Sequence, residues 1–427
     1  MDCSDAPSAK PLSTTTADKI NTFANSHMKK VTTIFAALAC SITMQAQKFE
    51  GLANTPPMGW NSWNTFNTNI NEAMIKETAD ALVSSGMRDA GYVYLVLDDG
   101  WMAMQRDSNG NLVPDPKKFP SGMKALADYV HSKGLKFGMY NCAGTLTCAK
   151  YPGTRGYEYQ DARNYAAWDV DYLKFDWCNT AGINAKEAYT TMSKALRAAG
   201  RPMIFSLCEW GVNKPWQWGA PVGQLWRTTE DIWQVFDSVH SMGTWDALSV
   251  MRIADLNDSL RKYAAPGAWN DPDMLEVGNG MSYVEDKTHF SLWAMMAAPL
   301  IAGNDIRKMS QQTKEILTNK AIIAIDQDPL GIQGFKYADT DSMQVWFKPL
   351  QNGDWAALFL NRSSRVKEVY FNWKTELVTD KIFHHELDRN ASYKLTNVWT
   401  GKEEGTTAKP VKAMLNPHDV IMYRLKK

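Results

Sequence analysis

The run Tyr172-Leu173-Lys174-Phe175-Asp176-Trp177-Cys178 alternates apolar and polar side chains and closes on a carboxylate. A period of two over so short a length reads as a buried strand delivering Asp176 at its carboxyl end. A buried strand seldom holds both a Lys and an Asp unless the two answer each other or a ligand. A Lys174–Asp176 pair that merely neutralises itself is one reading, and a ligand site is the other. Several other strand-like runs in the chain end on acid in the same way, which favours a site.

Working outward, short apolar runs alternate with longer amphipathic ones from about residue 56. Strands are expected at Met58–Trp60, Tyr92–Leu97, Leu135–Tyr140, Tyr172–Phe175, Met203–Leu207 and Gln224–Arg227, with two more near Gly267–Trp269 and Leu300–Ala302. Helical patterns fall between them, at 71–88, 122–133, 159–169, 185–199 and 286–297. Eight strand–helix alternations predict an α/β fold, a (β/α)8 TIM barrel over residues 48–335. A doubly wound sheet is the alternative, but no Gly-rich fingerprint follows the first strand. After about residue 335 the period becomes two, in Ser342–Lys348, Trp355–Leu360, Lys367–Trp373 and Val420–Leu425. Gln351-Asn352-Gly353-Asp354 reads as a hairpin turn. Residues 336–427 are therefore expected to form a small C-terminal antiparallel β-sandwich.

In a barrel of this kind chemistry sits at the carboxyl ends of the strands. Those ends read Asp98-Asp99-Gly100-Trp101, Asn141-Cys142, Asp176-Trp177, Glu209-Trp210, Glu230-Asp231 and Asp271-Pro272-Asp273. One Asp at a strand end is an ordinary helix cap; this many are not. A divalent-metal site would use carboxylates with few Trp and often a His, and no His lies in these ends. A sugar site fits better, because carboxylates accept hydrogen bonds from vicinal hydroxyls, Trp faces suit sugar rings, and two carboxylates perform the hydrolysis.

The bulk composition agrees. The chain has 427 residues, 44% hydrophobic and 22% charged, with 46 basic and 46 acidic side chains. A net charge of zero gives no electrostatic reason for a nucleic-acid or anionic-membrane partner. Seventeen Trp exceed ordinary usage, though most should fill core. Met28-Lys29-Lys30 followed by the apolar run Val31–Ala39 reads as a secretory leader over about 28–46, with cleavage near Gln45-Ala46. Residues 1–27 then read as an upstream extension, and the product as exported, periplasmic or secreted. No later run is long and apolar enough to span a membrane. With Cys3 and Cys40 in the excluded segment, Cys142, Cys148, Cys178 and Cys208 remain. There is no C-x-x-C or H-E-x-x-H, so no zinc site, and no other metal or cofactor, is expected.

Taken in order, Met58-Gly59-Trp60-Asn61-Ser62-Trp63, Leu97-Asp98-Asp99-Gly100-Trp101, Tyr172-Leu173-Lys174-Phe175-Asp176, Cys208-Glu209-Trp210-Gly211, Trp226-Arg227-Thr228-Thr229-Glu230-Asp231-Ile232 and Trp269-Asn270-Asp271-Pro272-Asp273-Met274-Leu275 resemble glycoside hydrolase family 27, the α-galactosidases or melibiases. The likeness runs in register from about Leu52 to the chain end and includes Leu415-Asn416-Pro417-His418. It implies a retaining double displacement with Asp176 as nucleophile and Asp231 as general acid/base. It also implies that Lys174 and Arg227 hold sugar hydroxyls and keep Asp176 ionised. Asp98 and Asp99 match the pair that grips the C4 and C6 hydroxyls. Trp63, Tyr140, Glu209, Asp273 and Met274 match further pocket positions, and Cys148 and Cys178 match the family disulfide.

Four features depart from the pattern. Trp177 stands where relatives often have Gly or Asn, and is expected to reshape the leaving-group side. Asn141-Cys142 replaces a small residue followed by Asp. Cys208 lacks the partner that some animal members supply, so Cys142 and Cys208 are expected to be buried free thiols. Glu230 replaces the Gly of plant members, and strand alternation would turn it away from Asp231. By the resemblance, Asp99 suits a sugar bearing a hydroxymethyl group and Glu209 a free 2-hydroxyl, so the expected substrate is a terminal α-D-galactoside. A β-L-arabinopyranosidase or an α-N-acetylgalactosaminidase is the alternative within the family. A non-catalytic galactose-binding protein is the alternative outside it, and retention of both carboxylates argues against that. A homo-oligomer is left open.

Overall fold

Eight short parallel strands form where the apolar runs lie: β1 (Met58–Asn61), β2 (Tyr94–Val96), β3 (Lys136–Cys142), β4 (Tyr172–Asp176), β5 (Ile204–Cys208), β6 (Leu225–Arg227), β7 (Trp269–Asp271) and β8 (Leu300–Ala302). The computed structural model describes residues 48–427, so the expected leader, Cys3 and Cys40 lie outside the described residues. From β1 to β7 each strand pairs in parallel with the next, and β8 pairs with β1. Closure between β7 and β8 is made one step later. Pro272 has no N–H to give, and Asp273 takes a left-handed φ of 81°, so the chain leaves the ladder after Asp271. It rejoins at Leu275, whose N–H donates to Ile301 O at 2.7 Å and whose carbonyl accepts from Gly303 N at 3.0 Å.

The two-residue period decides what faces inward. On β4, Leu173 and Phe175 join the core between sheet and helices, while Tyr172 joins an inner cluster with Tyr94, Val96, Ile204, Leu225 and Trp269. This inner plug fills the lower barrel, so the interior is packed and only its upper end is open for chemistry. Lys174 and Asp176 continue the face that Tyr172 starts.

The expected helices form at Glu72–Ser84, Gly122–Ser132, Glu158–Ala167, Ala185–Ala199 and Tyr283–Met295. Asn184 caps the fourth by accepting from Glu187 N, and left-handed Gly200 ends it. Helices Val250–Asp258, Gln311–Leu317 and Lys320–Asp326 and a hairpin, Val239–Ser241 with Asp246–Leu248, were not expected. Tyr283–Met295 opens with a Ser282–Glu285 capping box and is buried nearly all round from Asp286 on. It lies between barrel and C-terminal sheet: Lys348 Nζ donates to Ala294 O, and Trp399 Nε1 to Ser291 Oγ.

The second domain begins at β9 (Phe335–Thr340) and continues through β10 (Met343–Pro349), β11 (Trp355–Asn361), β12 (Lys367–Phe371), β13 (Lys394–Asn397), β14 (Glu403–Thr406), β15 (Val411–Leu415) and β16 (Val420–Lys426). Six strands run in the order β9-β10-β11-β16-β13-β14, and β12 pairs with β15. Both sheets contribute to one core containing Phe347, Trp355, Phe359, Val369, Phe371 and Leu425, the expected sandwich. The turn between β10 and β11 takes positive φ at Asn352 and Gly353, as its Asn-Gly pair predicts. Arg261 of the barrel donates to the buried Asp380 carboxylate through both terminal nitrogens, fastening the two domains together.

Candidate active site

The upper barrel opens into a cavity of about 520 Å³. Trp63, Asp98, Tyr140, Lys174, Asp176, Arg227, Asp231, Asp273 and Met274 all line it. They come from five strand ends and from the β7–β8 connection, segments spread over more than two hundred positions that the barrel brings to one mouth.

The pairing of charges differs from the expectation. Lys174 Nζ donates to Asp98 Oδ2 at 2.7 Å, and its ammonium stands over the Tyr140 ring, 5.5 Å from the centroid. The cation of β4 thus answers the acid after β2 and is not spent in a Lys174–Asp176 pair. Burial alone would lower the Lys174 pKa, but Asp98, Cys208 and Asp176 outweigh it and hold the ammonium protonated. Arg227 does not serve Asp176 either. Its Nη2 lies 2.9 Å from Asp273 Oδ2 and donates to Asp231 Oδ1 at 3.1 Å. Asp98 is fixed further by Asn61 Nδ2 at 2.8 Å.

Asp176 is 6% exposed and its Oδ1 accepts from Trp177 N at 2.8 Å, which leaves Oδ2 for chemistry. Burial raises its pKa to about 7, Lys174 lowers it, and Asp231 raises it again. The Asp231 side chain is 38% exposed. One carboxylate is therefore sunk among apolar and cationic groups and the other faces solvent, an asymmetry that separates two roles.

Asp99 and Glu209, expected among the substrate ligands, stand outside this lining. Asp99 is buried and its carboxylate accepts from Ala149 N and Gly100 N, each at 2.8 Å. Burial raises its pKa to about 6. Glu209 is also buried, and its Oε2 accepts from Asn213 N at 2.7 Å and from Asn213 Nδ2 at 2.8 Å. Both carboxylates hold loops that surround the cavity.

Two departures also resolve differently. Trp177 turns inward and stacks on Tyr189, centroids 5.7 Å apart, so it does not touch the leaving-group side. Glu230 and Asp231 both line the cavity, because β6 ends at Arg227 and alternation no longer governs residues 230 and 231. Burial and Asp231 raise the Glu230 pKa.

Cys148 and Cys178 form a disulfide, with Cα atoms 5.1 Å apart. Both sulfurs and an Asp176 carboxylate oxygen lie within 4.8 Å of one another, so the bridge packs beside the carboxylate. The sulfurs are bonded to each other and are not metal ligands. Gly144 permits the approach: a Cβ there would sit 2.1 Å from Cys178 O. Cys142 and Cys208 are buried free thiols.

The sequence reading missed Asn64, Asn67, Trp210, Trp233, Gln234, Met242, Trp245 and Glu276, which complete the lining. Glu276, two residues past Met274, was the most legible of these in the sequence, an acid extending an acid-rich strand end. Its burial raises its pKa to about 7, with Asn279 and Asn64 donating to it.

A barrel with paired carboxylates of unequal exposure at its mouth, joined to a β-sandwich, has the architecture of a carbohydrate hydrolase. Residues 55–328 match the family model described as alpha galactosidase A, and residues 340–425 the alpha galactosidase C-terminal beta sandwich domain. The chain belongs to the alpha galactosidase A family. It is 52% identical to alpha-galactosidase A of Cellvibrio japonicus, over 92% of this chain and 97% of that one. It is 48% identical to alpha-galactosidase 3 of Arabidopsis thaliana, over 88% of this chain and 82% of that one. Among solved structures, α-galactosidase I from Mortierella vinacea superposes with a TM-score of 0.82 at 34% identity, covering 88% of this chain and 98% of that one.

Proposed function

We propose that the cavity releases terminal α-D-galactosyl groups with retention, Asp176 acting as nucleophile and Asp231 as acid/base. The chain is an α-galactosidase, a glycoside hydrolase, as its family and its relatives over most of its length indicate. The observation that carries the mechanism is the unequal pair at one mouth, Asp176 buried against Lys174 and Asp231 open to solvent.

The first step breaks the bond from the anomeric carbon to the glycosidic oxygen. Asp176 Oδ2 attacks the carbon while a proton from Asp231 reaches the departing oxygen, so the aglycone leaves as an alcohol. Esterified Asp176 no longer repels a charge on Asp231, which then takes a proton from water as the water attacks the same carbon. Galactose leaves, and Asp231 has its proton back. Such a pair works at about 5–5.5 Å. Lys174, Asp98, Tyr140, Arg227, Asp273, Met274 and Trp63 hold the sugar, while Asp99 and Glu209 support this from behind the lining.

Export is part of the proposal. The 28–46 leader supports it, and a disulfide suits an oxidising compartment. Among the described residues no helix is long and apolar enough to cross a membrane.

The test is turnover of p-nitrophenyl α-D-galactopyranoside by protein starting near Gln47, beside Asp176→Asn. The expected result is a loss of at least about 10³-fold in kcat for the variant, with rescue by azide giving β-galactosyl azide. Equal rates in both proteins would refute the nucleophile assignment. A stronger preference for β-L-arabinopyranosides or N-acetylgalactosaminides would overturn the choice of sugar.

A further inference from the structure

Three polar side chains of Tyr283–Met295, namely Asp286, His289 and Trp293, are buried and spaced three and four residues apart, so they stand in one row along the helix. Each holds a backbone group of the connection between β7 and β8. Trp293 Nε1 donates to Asp273 O at 2.8 Å, His289 Nε2 accepts from Glu276 N at 3.0 Å, and Asp286 Oδ2 accepts from Gly278 N at 2.8 Å. The two rings brace each other edge to face, with centroids 4.1 Å apart. The same helix is bonded to the sandwich: Thr288 Oγ1 donates to His418 O at 2.7 Å, and Trp399 Nε1 donates to Ser291 Oγ at 3.1 Å. The row therefore stands on a fixed base.

His289 is the telling member. It is fully buried, and among the described residues its Nδ1 has no hydrogen-bond partner. Burial lowers its pKa to about 3, which keeps the ring neutral and Nε2 able to accept. An unmatched imidazole N–H in the interior is costly, and an apolar side chain of similar size would pack there without that cost. What the imidazole adds is the acceptor for Glu276 N. The segment it holds begins at Asp273, whose left-handed φ of 81° persists only where the surroundings enforce it. The Asp273 carboxylate accepts from Ile232 N at 2.8 Å and lies 2.9 Å from Arg227 Nη2, which itself donates to Asp231 Oδ1. Helix, connection and acid thus form one series of contacts, with His289 and Trp293 at one end and Asp231 at the other. We propose that His289 and Trp293 are positioning residues for the hydrolysis: they hold the Asp273 turn, and through it the Asp231 carboxylate, where a proton can pass to the leaving oxygen. Neither ring lines the cavity. The proposal rests on the α-galactosidase reading of the site and on Asp231 as its acid.

The test compares kcat/KM for methyl α-D-galactopyranoside, whose methoxide departs only as it is protonated, with that for α-galactosyl fluoride, whose fluoride needs little help from an acid. Both present the same sugar, so a change in sugar binding or in the amount of folded enzyme cancels in their ratio. For His289→Leu the glycoside-to-fluoride ratio should fall about tenfold, and His289→Gln, whose amide oxygen can accept from Glu276 N, should recover most of it. Trp293→Phe removes the donor to Asp273 O and keeps a ring beside His289. It should lower the ratio in the same direction, and it decides the matter if His289→Leu does not fold. Near-ultraviolet circular dichroism checks that each variant is folded. A ratio within about twofold of wild type in the folded variants overturns the positioning role, even where both rates have dropped, and leaves the α-galactosidase reading intact. A wild-type protein that turns over neither compound overturns that reading, and the positioning role with it.

Discussion

Asp176 illustrates how one residue carries opposing demands. The proposed nucleophile must be ionised to attack, but burial lifts its pKa to about 7 against the lowering effect of Lys174. Two consequences follow, with opposite readouts. As pH falls through the folded pKa the carboxylate gains a proton and cannot attack, so kcat/KM should have an acid limb near pH 7 and not near the ordinary carboxylate value of about 4. Because Asp176 and Asp231 interact, the limb reports the pair. Lys174→Met should move it upward by about one pH unit, measured with α-galactosyl fluoride across a buffer series. The stability effect has the reverse sense. The folded state holds its proton up to about 7, while the unfolded carboxyl releases it near 4. The folded protein therefore loses stability as pH rises from about 4 to 7, and the whole penalty is present above that. Asp176→Asn removes the penalty, so its Tm should exceed wild type by a few degrees, on the order of 2–5 °C at pH 8, and by much less at pH 4.5. Calorimetry at both pH values checks it; a lower Tm at pH 8 would contradict the burial argument.

At the scale of elements, what matters is how strand ends and loops are held. The Cys148–Cys178 bridge closes a loop with a sequence separation of 30 and fixes the connection after β3 against the end of β4. Loop-closure entropy puts such a constraint at roughly 3–4 kcal/mol. The double variant Cys148→Ser/Cys178→Ser should lose that much in urea unfolding, and more than tenfold in kcat/KM, since the released loop carries the lining at 148 and the support for Asp99. Arg227, at the end of β6, touches Asp231 and Asp273 with one nitrogen. Arg227→Met would leave a buried carboxylate unpaired, a loss on the order of 3–5 kcal/mol. Arg227→Lys should recover part of the stability and little of kcat/KM, because the shorter Lys side chain does not bring its ammonium to the place Nη2 holds between the two carboxylates.

For the whole molecule, the sandwich is more than an appendage. Its sheet covers the outer face of Tyr283–Met295, a barrel helix whose Lys287, Thr288, Ser291 and Ala294 meet Asp419, His418, Trp399 and Lys348 of the sandwich. Arg261 and Asp380, both buried, form a paired fork across the domains, and Gln333 O accepts from Arg261 Nε at 3.1 Å. Removing one partner leaves a buried charge, so Asp380→Ala should cost about 3–5 kcal/mol and unfold both domains in one transition. Two separated calorimetric transitions in wild type would show that the domains are thermodynamically independent.

Much of this was legible in the residues. Short apolar runs located the eight barrel strands, because a strand buried on both faces is apolar throughout, and the two-residue period located the sandwich, whose strands have one face on the core. The acids at strand ends then located the site, because a closed parallel barrel has only one end at which they can meet. Tertiary structure alone decided the partners. Lys174 answers Asp98 from across β3, and Arg227 answers Asp273 on the β7–β8 connection as well as Asp231 four residues on, because the barrel turns all these side chains into one mouth. It placed Asp99 and Glu209 behind the lining and Trp177 against Tyr189, since loop backbone, not strand period, sets their directions. It also built a wall from the hairpin at 239–248, whose short strands take their meaning from the Asp231 segment they pair with. Local sequence fixes the elements and their faces, while contacts between elements determine which charge meets which and what lines the cavity.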